Sequence, residues 1–242
     1  MRLGIIFLVC ALIVGAYFGL QTSVNHIVEH GIETLGPELT GTAVEIGEVD
    51  LSLFSGKGAI RGIVIGNPKG FETDRAFKLD EVRVDLVPLS VFGDSIVIEE
   101  IFIDGPEITY EKKDETSNLL QISKNVQAFG GGHSSEEESS EEAESKDSSD
   151  TKIRIDRFEL REASVRAGTF KDKTVGLTLP TIELTDLGAP DGAAPAEVSA
   201  EVAKTVTGRV TAAVTKKFIA LGAGDGEGRR RRRERKQEKA EN

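Results

Sequence analysis

Apolar and polar side chains alternate through much of residues 44–184, and in each segment the alternation breaks once in the same manner. Val44-x-Ile46 is followed by Gly47-Glu48 and then by Val49-x-Leu51. Phe77-x-Leu79 and Val82-x-Val84 flank Asp80-Glu81. Ile96-x-Ile98 and Ile101-x-Ile103 flank Glu99-Glu100. Ile153-x-Ile155 and Phe158-x-Leu160 flank Asp156-Arg157, and Leu177-x-Leu179 and Ile182-x-Leu184 flank Pro180-Thr181. A sixth copy, with Ile60, Ile63 and Ile65, has Gly58 in the first apolar slot. Period-two alternation predicts β-strands. An extra residue that returns the apolar positions to their original face is what a β-bulge supplies. Bulges in neighbouring strands bend them together, so the expected sheet curls into a trough with an apolar inner face. A plain sandwich, in which a second sheet covers that face, fits the same pattern. In segments 58–65 and 96–103 the intervening Ala59, Val64, Val97 and Phe102 are apolar as well. Those strands are therefore expected to have something packed behind them.

Turn signals separate the strands at Asn67-Pro68-Lys69-Gly70, Gly93-Asp94-Ser95 and Asp104-Gly105-Pro106. Ile108 and Tyr110 suggest a further short strand. Helices are expected to be few. Leu119, Ile122, Val126 and Phe129 predict a helix over 117–129, with Asn118 as its cap and Gly130–Gly132 as its stop. Val198, Val202, Val206, Val210, Val214 and Phe218 recur strictly four apart over 195–221, with Pro195 in a plausible first turn. Four residues advance about 400°, so this stripe winds around the helix. β-Branched Val and Thr weaken the helix in isolation, and it needs a surface to lie on, either the trough or a membrane.

The first 20 residues change the picture of where the chain resides. Leu3 to Leu20 carries no charge. As a helix it is roughly 27 Å long, close to the ~30 Å hydrocarbon core. Arg2 precedes it and the next Lys or Arg is Lys57. The positive-inside rule then puts the N-terminus in the cytoplasm and the body across the membrane. A cleaved signal peptide is a rival reading, although Ala16-Tyr17-Phe18 fits the A-x-A cleavage pattern poorly. A lipoprotein would use Cys10, but the apolar run continues for ten residues beyond it. Gly15 and Gly19 form a GxxxG pair through which two anchors can self-associate.

Composition and charge divide the remainder. The net charge of −11 combines an acidic run at 133–150 (−7), a basic one at 229–242 (+5) and an acidic remainder (−9). Residues 130–151 are expected to be a disordered acidic linker, and residues 222–242 a disordered basic tail. The predicted layout is an anchor over 1–24, a first β region over 44–129, the linker, and a second β region with its helix over 152–221. An acidic body argues against nucleic acid as a partner. One Cys excludes an intrachain disulfide and a Cys-based zinc site.

One catalytic motif needs weighing. His26-Ile27-Val28-Glu29-His30 matches H-x-x-E-H, which on a helix places two His on one face beside a carboxylate base. It sits within ten residues of the apolar run, with no folded body before it to wall a site. The reading adopted is therefore no catalytic residues, no metal and no cofactor.

Several of these patterns together resemble the AsmA-like proteins of Gram-negative bacteria. The resemblance is carried by Ile46-Gly47-Glu48-Val49-Asp50-Leu51-Ser52-Leu53, by Ile63-Val64-Ile65-Gly66-Asn67-Pro68-Lys69-Gly70-Phe71 and by Ile98-Glu99-Glu100-Ile101-Phe102-Ile103-Asp104-Gly105-Pro106. In the second half it is carried by Ile153-Arg154-Ile155-Asp156-Arg157-Phe158 and Leu179-Pro180-Thr181-Ile182-Glu183-Leu184. The resemblance implies a single-pass inner-membrane anchor, a periplasmic body, an elongated apolar β-groove and a part in moving phospholipid toward the outer membrane. It carries no catalytic residue.

The expected fold is mainly β: an N-terminal transmembrane helix followed by a curled, bulged, groove-like sheet with a few helices. The candidate lipid-binding face is Val44, Ile46, Val49, Leu51, Phe77, Leu79, Val82, Val84, Ile96, Ile98, Ile101, Ile103, Ile153, Ile155, Phe158, Leu160, Leu177, Leu179, Ile182 and Leu184. Expected partners are membrane phospholipid and, secondarily, other envelope proteins. The alternative is a non-catalytic adaptor whose β core is closed by its own helices.

Overall fold

The computed structural model describes residues 24–131, 151–170 and 173–238. After helix α1 (residues 24–40) come β1 (Val44–Glu45), β2 (Glu48–Leu51), β3 (Lys57–Gly66) and β4 (Arg75–Leu86). A 3₁₀ turn at Pro88–Phe92 leads into β5 (Ser95–Asp104), β6 (Glu107–Lys113), β7 (Thr116–Ser117) and α2 (Asn118–Gly131). Beyond the acidic segment lie β8 (Lys152–Arg161), β9 (Ser164–Phe170), β10 (Lys173–Thr178), β11 (Ile182–Leu187) and α3 (Pro195–Glu238). The strands form one curled half-barrel sheet, so the sandwich alternative is not what the chain adopts.

Six bent lines of strand lie side by side: β1–β2, β3, β4, β5–β6, β8–β9 and β10–β11. Neighbours are antiparallel except between the fourth and fifth lines, where β5 pairs parallel with β8 and β6 with β9. That parallel seam joins the two predicted β regions into a single sheet.

The breaks in alternation are where the lines bend. Pairing skips Ile46 and Gly47 on the first line, then Gly62 opposite Asp80 on the next two. It skips Gly105–Pro106, Glu162–Ala163 and Leu179–Thr181 on the others, Asp104 being paired with Arg161 on β8 but not with β4. Gly62 (φ 67°) and Glu162 (φ 50°) take the left-handed conformation at these bends. A second row of irregularities crosses only three lines, at Glu99, Asp156 and Asp186. Glu99 is an extra residue, because Asp85 and Leu86 on β4 pair with Glu100 and Ile98 on β5. All six sequence breaks therefore coincide with bends, but in two rows and not one. Asp104-Gly105-Pro106 is also no chain reversal. Both β5 and β6 continue along β4, so this turn signal is a bend within one line.

The far end of the sheet, where β3 turns into β4, is locked by a polar network. Glu111 is buried, and its carboxylate accepts hydrogen bonds from the Glu72 and Thr73 amides (2.8 and 3.0 Å) and the Thr73 hydroxyl (2.9 Å). Asn118 is fully buried. Its Oδ1 accepts from the Glu111 amide, and its Nδ2 donates to Asn67 Oδ1 and the Thr109 carbonyl. Asn67 in turn donates to Thr73, and Lys113 Nζ donates to the Gly70 carbonyl at 2.7 Å. Asn67-Pro68-Lys69-Gly70-Phe71 is thereby fixed to β6. Asn118 is thus not the cap of α2. Ser117 is, its hydroxyl accepting from the Leu120 amide at 3.2 Å.

The Val stripe of α3 settles on the sheet. Val198, Val206, Val210 and Val214 are buried against α2 and the β8, β10 and β11 strands. The helix runs on past Phe218, where the stripe ends, to Glu238. Among the described residues no helix is long and apolar enough to cross a membrane. The expected anchor, 1–24, falls outside them except for its last residue, Val24, and residues 132–150 of the acidic segment fall outside as well.

Burial pushes the Glu111 carboxyl upward, but the hydrogen bonds from Thr73 and Glu72 outweigh it and hold the group below its ordinary 4.5. A carboxyl depressed in the folded state stabilises the fold fully above its unfolded value. That contribution is lost as pH falls through the lower folded value. Glu111→Gln is expected to cost about 1–3 kcal/mol at pH 7. The deficit should shrink progressively below about pH 4.5. Urea unfolding of both proteins across pH 3–8 (roughly, spanning the carboxylate range) checks this; a pH-independent deficit would contradict it.

Candidate functional site

Directly paired residues share a face, so the register fixes which side chains meet. Val44, Ile65, Phe77, Ile108, Val165 and Leu177 form one apolar rung across all six lines. Ile63 and Leu79 pair beside it. Val49, Ile60, Val82, Ile103, Leu160 and Ile182 form the next complete rung. Leu51, Gly58, Val84, Ile101, Phe158 and Leu184 form another. Leu86, Ile98, Ile155 and Leu187 follow, and Ile96 pairs with Ile153 at the sheet end.

Fifteen of the sequence-derived positions, from Phe77 through Leu184, join one apolar cluster on the inner face: Phe77, Leu79, Val82, Val84, Ile98, Ile101, Ile103, Ile153, Ile155, Phe158, Leu160, Leu177, Leu179, Ile182 and Leu184. Val44, Ile46, Val49, Leu51 and Ile96 lie outside that cluster, on the first line and at the sheet end. The apparent gap in the sixth repeat has a steric reason. A Cβ at Gly58 would collide with the Leu51 side chain, which covers that slot from the neighbouring strand.

The face is not uniformly accessible. Ile155, Phe158, Leu160, Leu179 and Ile182 are buried in the cluster that α3 shares. On the opposite edge α1 follows the first line. Asn25 Oδ1 accepts from the Leu51 amide at 3.0 Å, and Gly36 abuts Val44. Between these helices Ile60, Ile63, Ile65, Val84, Ile98 and Ile101 remain only half-buried. They form an apolar strip along the central strands, interrupted by the buried Leu79, Val82 and Ile103. Sequence reasoning gave the whole face equal standing. It left open whether the 195–221 helix would lie on the trough or on a membrane; the structure lays α3 on the second half of the sheet and turns that part of the face into core.

The outer face is a charge lattice. Arg61 bridges Glu48 and Glu81 at 3.3 and 3.0 Å, tying β2, β3 and β4 together. Arg157 bridges Glu100 and Glu183 at 3.1 and 3.0 Å, across β5, β8 and β11, and also pairs with Glu159. Glu159 is the main group holding the Arg157 guanidinium above its ordinary pKa, with Glu183 assisting against partial desolvation. Phe102 was expected to need a second layer behind it. Its cover is two guanidinium groups, of Arg83 and Arg161, whose carbons stand 4.3 and 4.5 Å from the ring centroid. A depression of about 510 Å³ lies beside them, with opposite charges around its lining, among them Lys57, Asp85 and Glu159.

His26, Glu29 and His30 do fall on a helix, α1. His26 Nδ1 stands 3.8 Å from Glu29 Oε2, with the His26 side chain 84% exposed. Among the described residues no group of three or more His, Cys, Asp or Glu side chains is placed to hold a metal ion.

The rung register makes a direct prediction. Gly58→Val should cost about 1–3 kcal/mol, because it overpacks the slot that Leu51 fills. Adding Leu51→Ala should cost less in that background than in the wild type, since the two residues compete for one space. A double-mutant cycle by urea unfolding reads the coupling; strictly additive costs would contradict the assigned register.

The model of the AsmA family matches residues 47–190, from the first bend of the sheet to just beyond its last strand. No curated protein matches the chain. The family match covers more than half of the sequence and coincides with the bulged, curled sheet just described; the chain belongs to the AsmA family.

Proposed function

We propose that this protein is a membrane-anchored envelope protein of a Gram-negative bacterium that holds phospholipid acyl chains on the inner face of its curled sheet. In this reading residues 3–20 span the inner membrane and the sheet stands in the periplasm. The protein assists phospholipid transport or the upkeep of the outer membrane. The observation that carries the reading is the half-buried strip of Ile60, Ile63, Ile65, Val84, Ile98 and Ile101 between α1 and α3. Burying each methylene of an acyl chain contributes about 0.8 kcal/mol, which gives useful affinity with no specific polar contact. Headgroups then stay in water, and the charged outer face of the sheet takes no part.

Family membership supports this reading at the level of architecture. Size limits it: six lines at about 4.8 Å spacing extend roughly 25 Å, far short of a bridge between membranes. A sheet of this reach shuttles lipid, caps a longer groove or works alongside partners. A second reading, the closed-core adaptor, is favoured by the burial of Ile155, Phe158, Leu160, Leu179 and Ile182 in the core that α3 shares.

The test is native mass spectrometry with lipid extraction on the full chain purified from bacterial membranes in mild detergent. Val84 and Ile101 are paired and half-buried, so Val84→Asp with Ile101→Asp puts two charges into the strip. Co-purifying phospholipid that disappears in a folded double variant is the expected result. Folded wild type that never carries lipid would overturn the groove and leave the adaptor.

A further inference from the structure

One end of the sheet carries three large apolar side chains that the fold pushes into solvent. Phe54 is 85% exposed in the turn between β2 and β3, and Leu89 and Phe92 are each 80% exposed on the 3₁₀ turn after β4. The two turns are neighbours. The Gly56 amide donates to Ser52 O at 2.8 Å, and the Leu86 amide donates to Gly56 O at 2.9 Å. A Cβ at Gly56 would strike the Leu86 carbonyl, so these backbones are in close contact.

Nor is the exposure that of a loose loop. Ser90 donates to the Val87 carbonyl at 2.7 Å and accepts from the Val97 amide at 2.9 Å, which pins the 3₁₀ turn to β5. A fixed backbone thus presents apolar side chains that the described residues leave uncovered. Three such groups on adjoining turns form a patch, which scattered single residues would not.

The position of α1 identifies what lies opposite. The first turn of α1 sits at this same end, where Asn25 accepts from the Leu51 amide, three residues before Phe54. Val24 is four residues after Leu20, the end of the uncharged run Leu3–Leu20. Four residues reach at most about 14 Å. A bilayer that holds residues 3–20 must therefore lie within that distance of Val24, at the same end of the sheet as the exposed tip.

We propose that Phe54, Leu89 and Phe92 insert into the surface of the bilayer in which residues 3–20 are anchored, seating the open end of the sheet on the lipid. This rests on the anchor reading of 3–20 and deepens the proposed function. The half-buried Leu86, Ile96 and Ile98 lie immediately behind the tip. An acyl chain leaving the bilayer at the tip meets these side chains first and then the apolar strip, without crossing water.

The chain contains no Trp, so single substitutions make clean reporters. Phe54→Trp, Leu89→Trp and Phe92→Trp would be placed separately in the full chain. Each variant would be reconstituted into phosphatidylethanolamine–phosphatidylglycerol vesicles with and without brominated acyl chains. Phe71→Trp, at the far end of β3 and roughly 30 Å away along the strand, is the control. Blue-shifted emission quenched by bromolipid at all three tip positions, with Phe71→Trp unquenched, is the expected result. Red, unquenched emission at the tip, or protein that does not float with the vesicles, overturns the proposal. Blue-shifted but unquenched emission also overturns it, and would assign the tip to a contact between copies of this chain. The lipid-extraction assay keeps the two readings apart. Extracted lipid with an unquenched tip removes the tip alone, and a quenched tip with no extracted lipid removes the groove alone.

Discussion

The architecture depends on one backbone device: an interruption in each strand that resets its alternation. Without it the side chains after the break would point to the other face, because the strand period is two. With it, Val84 and Leu79 face the same side although Asp80 and Glu81 lie between their strand halves. When neighbouring lines carry the interruption at matching heights, the pairing survives and the whole sheet bends. The bend and the single apolar face therefore have one cause. The left-handed φ of Gly62 and Glu162 is a local cost of it, accepted because the alternative exposes half of the apolar set to water.

A curled sheet with one apolar face must cover that face or leave it for something else, and this chain does both. The Val stripe of α3 packs over the second half of the sheet, where the parallel seam has drawn Ile155, Phe158 and Leu160 alongside β5. A helix so rich in β-branched residues gains little from its own propensity, and its stability comes from this contact. At the far end the buried Glu111 and Asn118 replace apolar packing with a satisfied polar network. Such a network permits one arrangement of the β3–β4 turn, since each unpaired member would carry a desolvation penalty. What stays half-open is the central strip and the end of the sheet near α1.

The functional reading follows from this uneven cover. Affinity for an acyl chain needs apolar area and no particular donor, so the apolar rungs of the inner face suffice for it. The outer face serves a different purpose. Arg61 and Arg157 each bridge three strands, and the arginine pair over Phe102 shields a large aromatic that points away from the inner face. Exposed pairs of this kind add little stability each. Opposite charges set across neighbouring strands still favour this register over slipped ones.

The sequence by itself determined the strands, their breaks and the membership of the apolar face, because a residue's side of a strand depends only on local counting. Every sequence-derived break coincides with a bend, and Phe77, Val82, Ile101 and Ile182 meet their apolar neighbours on the rungs as the pattern implies. Only the tertiary structure decided which breaks align with which. Glu99 and Asp156 are far apart in the chain and belong to a different row from Gly62 and Asp80. It also decided that the turn signal at Asp104-Gly105-Pro106, which does separate β5 from β6, bends one line along β4, since a turn signal records local conformation and not where the next segment pairs. Asn118 was legible as a polar residue at a helix start. Its burial was not, because its partners Asn67 and Thr109 arrive through the fold. The same holds for the tip. Phe54, Leu89 and Phe92 look like any apolar residues in the sequence, and only the long-range pairing that builds the sheet brings two separate turns, and the start of α1, to one end.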